Sequence, residues 1–221
     1  PARLREAMEY TRQSTVLFRE ICEMRKMIPS PMRSHHPIAM TLTQLMLSGS
    51  PDLVRFYETI RDEMKAEMAN PERPAEKYRL MNFFFYPGYL WGFLNTLETQ
   101  YGVAMVAEPH LSLWSDADID PDKPLESLAA KAFALVDTGP LKGAGERAVR
   151  LAKEYKADAA IYWAHLGCRQ TCATIRIIKE ALADADVPLM AIDCDLADDT
   201  VANEQDISEK IEQLLELLDD R

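Results

Sequence analysis

The stretch Ala159-Ala160-Ile161-Tyr162-Trp163-Ala164-His165-Leu166-Gly167-Cys168-Arg169-Gln170-Thr171-Cys172 decides how this chain reads. An apolar run of strand length breaks at Gly167, and a segment of helical pattern, Ala173 to Ala185, follows at once. His165, Cys168, Arg169 and Cys172 therefore stand where strand gives way to helix. In parallel α/β folds, ligands bind outside the carboxyl ends of the strands. A thiol at such a junction feels the positive end of the helix dipole, and Arg169 beside it acts in the same direction. Both favour thiolate, the form that ligates metal or attacks an electrophile. Cys168 reads as functional, whereas Cys172, one turn further on, reads as filler.

The alternation of strand and helix extends to both sides. Leu80–Phe85, Val103–Ala107, Ala159–Ala164 and Pro188–Ile192 read as buried strands. Leu90–Gln100 reads as a helix, and Leu125–Val136 and Glu146–Tyr155 as two more around a turn at Gly139-Pro140. The helix after Cys172 buries Ile175, Ile178, Leu182 and Ala185. Asp206 with Glu209 reads as a capping box for a last helix packed through Ile207, Ile211, Leu214, Leu215 and Leu218. Strands separated by helices imply a parallel sheet with right-handed crossovers. The expected fold is α/β: a four-stranded, Rossmann-like (flavodoxin-like) three-layer domain over residues 78–221.

A helical segment precedes it, over residues 1–70. Leu4, Met8, Thr11, Thr15, Phe18, Cys22 and Arg25 recur at steps of three and four, giving a long amphipathic helix that stops at Pro29-Ser30-Pro31. Cys22 lies on its apolar side and reads as core. A short helix near Ile38–Leu47 follows. Ser50-Pro51-Asp52 then opens a helix whose stripe is Leu53, Phe56, Tyr57, Ile60, Met64 and Met68. Asn70-Pro71-Glu72-Arg73-Pro74 begins a linker that runs over residues 71–77.

Four carboxyl strand ends should face one edge. Their loops carry Tyr86-Pro87-Gly88-Tyr89 and Trp91, then Glu108, His110 and Trp114, then His165 to Arg169, then Asp193, Cys194, Asp195 and Asp198. Around this rim the familiar signatures are missing: there is no Walker loop, glycine triad after a strand, nucleophile elbow, CxxC pair or HExxH. Gly143-Ala144-Gly145 reads as a flexible turn rather than a phosphate loop. Asp193 and Asp195 read as a capped, solvated strand end rather than a cation site. Cys168 and Cys172 stand at i, i+4, and Cys194 is either a third thiolate or a core residue. The residues alone leave a thiol-bearing rim that is either a metal site or a nucleophile.

Composition narrows the partners. With 25 basic against 36 acidic residues, the net charge of −11 provides no basic stripe for nucleic acid. No window approaches the apolar length of a membrane span. Four cysteines among 221 residues make no disulfide framework, so a reducing cytoplasm is expected.

The segment His165-Leu166-Gly167-Cys168-Arg169-Gln170-Thr171-Cys172, a helix ending Ile177-Ile178-Lys179-Glu180-Ala181-Leu182, and then Val187-Pro188-Leu189-Met190-Ala191-Ile192-Asp193-Cys194-Asp195-Leu196-Ala197-Asp198 resemble the C-terminal part of the 2-hydroxyacyl-CoA dehydratase and benzoyl-CoA reductase family. Leu94-Asn95-Thr96-Leu97-Glu98-Thr99-Gln100-Tyr101-Gly102-Val103 resembles the family's helix leading into its second strand, and the acidic closing helix fits too. It is similar to subunits like the 2-hydroxyglutaryl-CoA dehydratase D-component. The resemblance implies a subunit of two similar α/β domains with a [4Fe-4S] cluster between them. The family's C-terminal cysteine ligand matches Cys168, and the remaining ligands would come from cysteines outside this chain.

The same resemblance implies an enzyme acting within a complex, by one-electron (ketyl radical) chemistry on an acyl-CoA thioester. Its partners would be a missing N-terminal domain of the same subunit, a homologous second subunit and an ATP-dependent activator. His165 and Arg169 become candidate catalytic residues, and Tyr89, Trp91, His110 and Trp114 candidate walls of the acyl-CoA pocket. Two alternatives stay open at this point: a non-catalytic assembly module of such a complex, and a free-standing enzyme with Cys168 as nucleophile and His165 as base.

Overall fold

The computed structural model describes residues 2–73, 75–112, 117–134 and 142–221. Three helices come first: α1 (Ala2–Met24), α2 (His36–Leu47) and α3 (Pro51–Met68). Ser50 Oγ accepts the Leu53 N–H at 3.4 Å, and Pro51 occupies the first turn of α3, where its missing N–H costs nothing. Phe18 and Ile21 of α1, Met40 of α2, and Leu53, Tyr57 and Met64 of α3 bury one another in a core of their own.

The α/β part follows as β1 (Tyr78–Phe83), α4 (Trp91–Tyr101), β2 (Val103–Ala107), α5 (Pro109–Ser112), α6 (Pro124–Ala134), α7 (Lys142–Tyr155), β3 (Ala159–His165), α8 (Arg169–Asp184), β4 (Leu189–Cys194) and α9 (Glu204–Asp219). The strands form one parallel sheet in the order β2-β1-β3-β4, the Rossmann-like three-layer arrangement expected from the sequence. Alternate residues of β3 serve opposite layers. Ile161 and Trp163 join Leu80, Phe93 and Leu97 of α4, and Ile207 and Ile211 of α9 on one face. Ala160 and Tyr162 join Met81, Phe83, Leu151 of α7, and Ile178 and Leu182 of α8 on the other. Burial on both faces is why β3 reads as an unbroken apolar run.

Two local readings are corrected. The cap of α9 is Asn203, whose Oδ1 accepts the Asp206 N–H at 3.0 Å while its Nδ2 donates to Asp206 Oδ2 at 2.8 Å, so Asp206 is the third residue after the cap and not the cap itself. Gly143-Ala144-Gly145 lies inside α7, not in a turn. A Cβ on Gly145 would stand 2.8 Å from Ala181 Cβ of α8, so glycine is what lets the two helices approach. The turn read at Gly139-Pro140 lies outside the described residues.

Buried guanidinium groups dock the helical segment on the sheet. Arg25, just past α1, reaches Glu108 at the end of β2 through Nη1–Oε2 at 2.5 Å and Nη2–Oε1 at 2.8 Å, and Nη2 also donates to Met105 O at 2.8 Å. Arg79 of β1 pairs with Glu76 and donates to Tyr155 O (2.8 Å), Met27 O (3.1 Å) and Arg25 O (3.2 Å). These bonds fasten the chain just past α1 to β1 and the end of β2.

Alanine normally stabilises a helix interior relative to glycine by about 1 kcal/mol. Gly145→Ala should do the reverse, because the α7–α8 contact has no room; a loss of about 1–2 kcal/mol in urea unfolding is expected. A gain in stability would show that the helices separate at no cost.

His36 sets a pH dependence. Its Nδ1 accepts the Arg33 N–H at 3.2 Å while Nε2 faces Glu63 at 3.2 Å. Burial, aided by neighbouring His35 and opposed by Glu63, pushes the imidazole down to about 4. The unfolded chain takes up this proton near pH ~6.5, which the folded chain refuses until about pH 4. Stability therefore falls as pH drops through that window, on the order of 2–3 kcal/mol from this group. The difference in urea midpoint between wild type and His36→Gln should change across pH 6.5 to 4; a constant difference would refute the assignment.

Candidate functional site

In the sheet order, β1 and β3 are neighbours while the chain winds outward from them to β2 on one side and β4 on the other. The helix between β1 and β2 covers one face, and the helix between β3 and β4 covers the other. The crevice between the carboxyl ends of β1 and β3 is thus the topological switch point, where sheets of this kind bind ligands. Phe84-Phe85-Tyr86 enters it from β1, and His165-Leu166-Gly167-Cys168 from β3.

The β1 side is built on a strained residue. Phe84 has φ +68°, a left-handed conformation that a bulky side chain adopts only when its surroundings enforce it. Asn82 Nδ2 donates to Phe84 O at 3.0 Å, and its Oδ1 accepts from the buried Trp163 indole N–H at 2.5 Å. The Phe84 N–H donates to His110 Nδ1 at 3.0 Å. On the far side, His165 Nε2 donates to Phe85 O at 2.6 Å. The Phe84 ring meets both imidazoles edge-on, with centroids 5.3 Å from His110 and 5.0 Å from His165. A carbonyl oxygen can only accept, so the neutral His165 ring carries its proton on Nε2; by the same logic His110 carries its proton away from Nδ1.

The β3 side presents the thiols. Cys168 is the N-cap of α8 and half-buried; its N–H donates to His165 O at 2.9 Å. Cys172 is exposed, and its thiol lies 3.6 Å from His165 O. Cys194 points into the core instead. It is fully buried, 3.9 Å from both ring nitrogens of His165, and burial, aided by Asp193 and Asp195, pushes its thiol up to about 12. Cys22 is likewise a core thiol, pushed up to about 11 by burial. Among the described residues, no group of three or more histidines, cysteines and carboxylates is gathered as a metal site.

The remaining candidates divide. Arg169 is exposed at the first position of α8. Trp91 opens α4 with half its surface exposed, and Leu166 and Leu196 stand exposed on the loops after β3 and β4. Tyr89 is partly buried against the sheet core, and its hydroxyl donates to Ala202 O at 2.6 Å. His165 is buried beneath the rim, with Nε2 committed to Phe85 O. Trp114 lies outside the described residues. Asp195 accepts the N–H groups of Ala197 (2.9 Å) and Asp198 (3.1 Å), which holds its carboxyl below the usual range. It is a loop cap, as read from the sequence.

Sequence reasoning missed Asn82, Phe84, and the pairing of Arg25 with Glu108. Two left a signal: an arginine that continues the apolar stripe just past α1, and an asparagine inside the run Leu80–Phe85. A polar side chain at a buried position needs a partner, and its presence announces one.

Fold and rim define a class: a doubly wound parallel α/β protein with thiols beside its switch-point crevice. By sequence the chain matches the family of the 2-hydroxyglutaryl-CoA dehydratase, D-component, over residues 1–218, and it belongs to that family. Comparison with curated proteins gives no match.

The two tryptophans near the crevice should respond differently to truncation. Trp163→Ala removes a fully buried ring bonded to Asn82 and should cost about 3–5 kcal/mol. Trp91→Ala should shift stability by less than about 0.5–1 kcal/mol, because half its surface already faces solvent. Comparable losses in chemical denaturation would mean that Trp91 is a packing residue.

Proposed function

We propose that this chain is the C-terminal part of a [4Fe-4S] subunit of a 2-hydroxyacyl-CoA dehydratase or benzoyl-CoA reductase. Its family membership makes it a component of the 2-hydroxyacyl-CoA dehydratase type. The observation that supports the finer reading is Cys168, a rim residue at the N-cap position of α8 beside the switch point. In this reading residues 1–70 are a helical segment joined by residues 71–77 to an α/β domain of residues 78–221.

The residues present fit the cluster in part. Cys168 suits one thiolate ligand, since the helix dipole favours its anion. Cys194 and Cys22 do not suit it, since both are buried and their thiols are pushed up. The other ligands belong to cysteines outside this chain. When bound, such a cluster supplies one low-potential electron to a thioester carbonyl.

This chain's own residues do the holding. Arg169 offers a planar fork to a carbonyl or phosphate oxygen of the acyl-CoA. His165 keeps the Phe85 peptide fixed as the crevice wall. Trp91, Leu166 and Leu196 form an apolar margin that substrate and the facing domain would cover, excluding water. The complex would include a homologous subunit and an ATP-dependent activator, in the cytoplasm; no helix among the described residues is long and apolar enough to cross a membrane.

Purified without oxygen as its full complex, the protein should carry iron and acid-labile sulfide. Cys168→Ser should lose most of that iron, whereas Cys22→Ser should keep it. Equal iron contents would end the ligand assignment. The chain alone should fold yet bind no stable cluster after anaerobic reconstitution, and a stoichiometric cluster there would mean that Cys172 or Cys194 also ligates.

A further inference from the structure

α6 (Pro124–Ala134) is turned inside out. Its stripe Leu125, Leu128, Ala129, Ala132 and Phe133 recurs at i, i+3, i+4, i+7 and i+8, the spacing that normally faces a core. Here that stripe faces solvent: Leu125 is 71% exposed, Leu128 42% and Phe133 73%. The opposite edge, Pro124, Ser127, Lys131 and Ala134, turns toward the protein, and only Ser127 of the whole helix is buried. α3 and α9, by contrast, bury their stripes, through Leu53, Tyr57, Ile60 and Met64 and through Ile207, Ile211 and Leu214.

Directed polar bonds hold α6 in this orientation. Ser127 Oγ donates to Asp120 O at 3.2 Å and accepts the Asp120 N–H at 2.9 Å. The loop that carries Asp120 is fastened to α1: Arg19 Nη2 reaches Ala117 O (3.2 Å) and Asp118 Oδ1 (3.0 Å), and Arg5 Nε reaches Asp122 Oδ1 (2.7 Å). Lys131 is half-buried on the inward edge, where burial pushes its amine down. A helix of 11 residues is marginal on propensity and takes its stability from packing of its apolar face. Ser127 supplies no such packing, so the stability of α6 calls for a cover on the outward stripe.

We infer that the cover is a second copy of this chain, with its α6 seated antiparallel on the first across a two-fold axis through Ala129. Two copies of net charge −11 repel over most of their surfaces, and the stripe offers them a contact face that carries no charged residue. The stripe is also complementary to itself. About a dyad at Ala129, Leu125 of one copy meets Phe133 of the other at each end, and the alanines between them let the backbones approach. Glu126, flanking the stripe, stands about 9 Å along the axis from its equivalent, close to the screening length at physiological salt. One helix stripe makes an interface at the low end of known sizes, below about 1,200 Å² in all, so the dimer is a reversible one.

Sedimentation velocity of the full chain from about 5 to 500 μM, the range over which a contact this small dissociates, reads the dimer directly. The weight-average mass should rise from one chain toward two as concentration increases. Phe133→Glu and, separately, Leu125→Glu should each weaken dimerisation at least tenfold. Circular dichroism and the urea midpoint at the dilute end should stay unchanged, because both side chains are exposed. Ala129→Cys in a Cys172→Ser background should give a disulfide-linked dimer when diamide is the oxidant, since the dyad brings that position onto itself. The background alone should not. A monomer throughout the range overturns the inference, as does a dimer that both charge variants leave intact. A dimer that Phe133→Glu dissolves but Ala129→Cys fails to trap overturns the antiparallel seat.

Discussion

The docking of the helical segment depends on guanidinium groups buried with their partners. Arg25 is 1% exposed, yet both terminal nitrogens meet Glu108, and Met105 O takes a further bond. An isolated charge at that depth would cost far more than the fold has in hand, so the pair exists only as a pair. Removing one member of such a pair typically destabilises by about 3–5 kcal/mol. Arg79 extends the arrangement by fastening the carbonyls of Arg25 and Met27 to the sheet. Apolar contact between helix and sheet would tolerate sliding, whereas directed bonds to named carbonyls do not. The place where the chain leaves α1 is thus fixed against β1 and β2.

A second constraint acts at the crevice itself. Phe84 is held at positive φ by bonds on both sides: Asn82 takes its carbonyl, His110 its N–H, and His165 the next carbonyl. His110 stands in α5, after β2, and His165 ends β3, so the strained turn is tied across the sheet. Strain of this kind persists only where the surroundings over-determine it. It aims the Phe84 ring between the imidazoles of His110 and His165.

Most of the fold was legible because each strand is bounded by a helix of opposite periodicity. The run Ala159–Ala164 announced a strand buried on both faces, and Ile207, Ile211 and Leu214 announced the closing helix. Strand order was not legible, because short crossovers say which strands are parallel but not which are adjacent. The role of Gly145 was hidden for a related reason: glycine marks a turn by its backbone freedom and a helix contact by its missing Cβ, and only the facing Ala181 tells which. The thiols were half legible. Cys168 could be placed at its junction from the chain alone, whereas Cys194 depended on pleat parity. In β4 Leu189, Ile192 and Cys194 are buried while Ala191 and Asp193 are exposed, and that phase is fixed only by pairing with β3.

The same parity explains why neighbouring sulfurs have different chemistry. His165 and Cys194 are paired across β3 and β4, facing the interior, and burial suppresses the Cys194 thiolate. Three residues past His165 the chain has left the sheet, and Cys168 caps a helix with part of its surface open. Burial of the two sulfurs is thus assigned by where the strand ends. The buried histidine belongs to the same logic: one nitrogen fixes the crevice wall, and its ring shields the core thiol beneath. A single strand terminus therefore separates a thiol buried in the core from one that is half-buried at the rim.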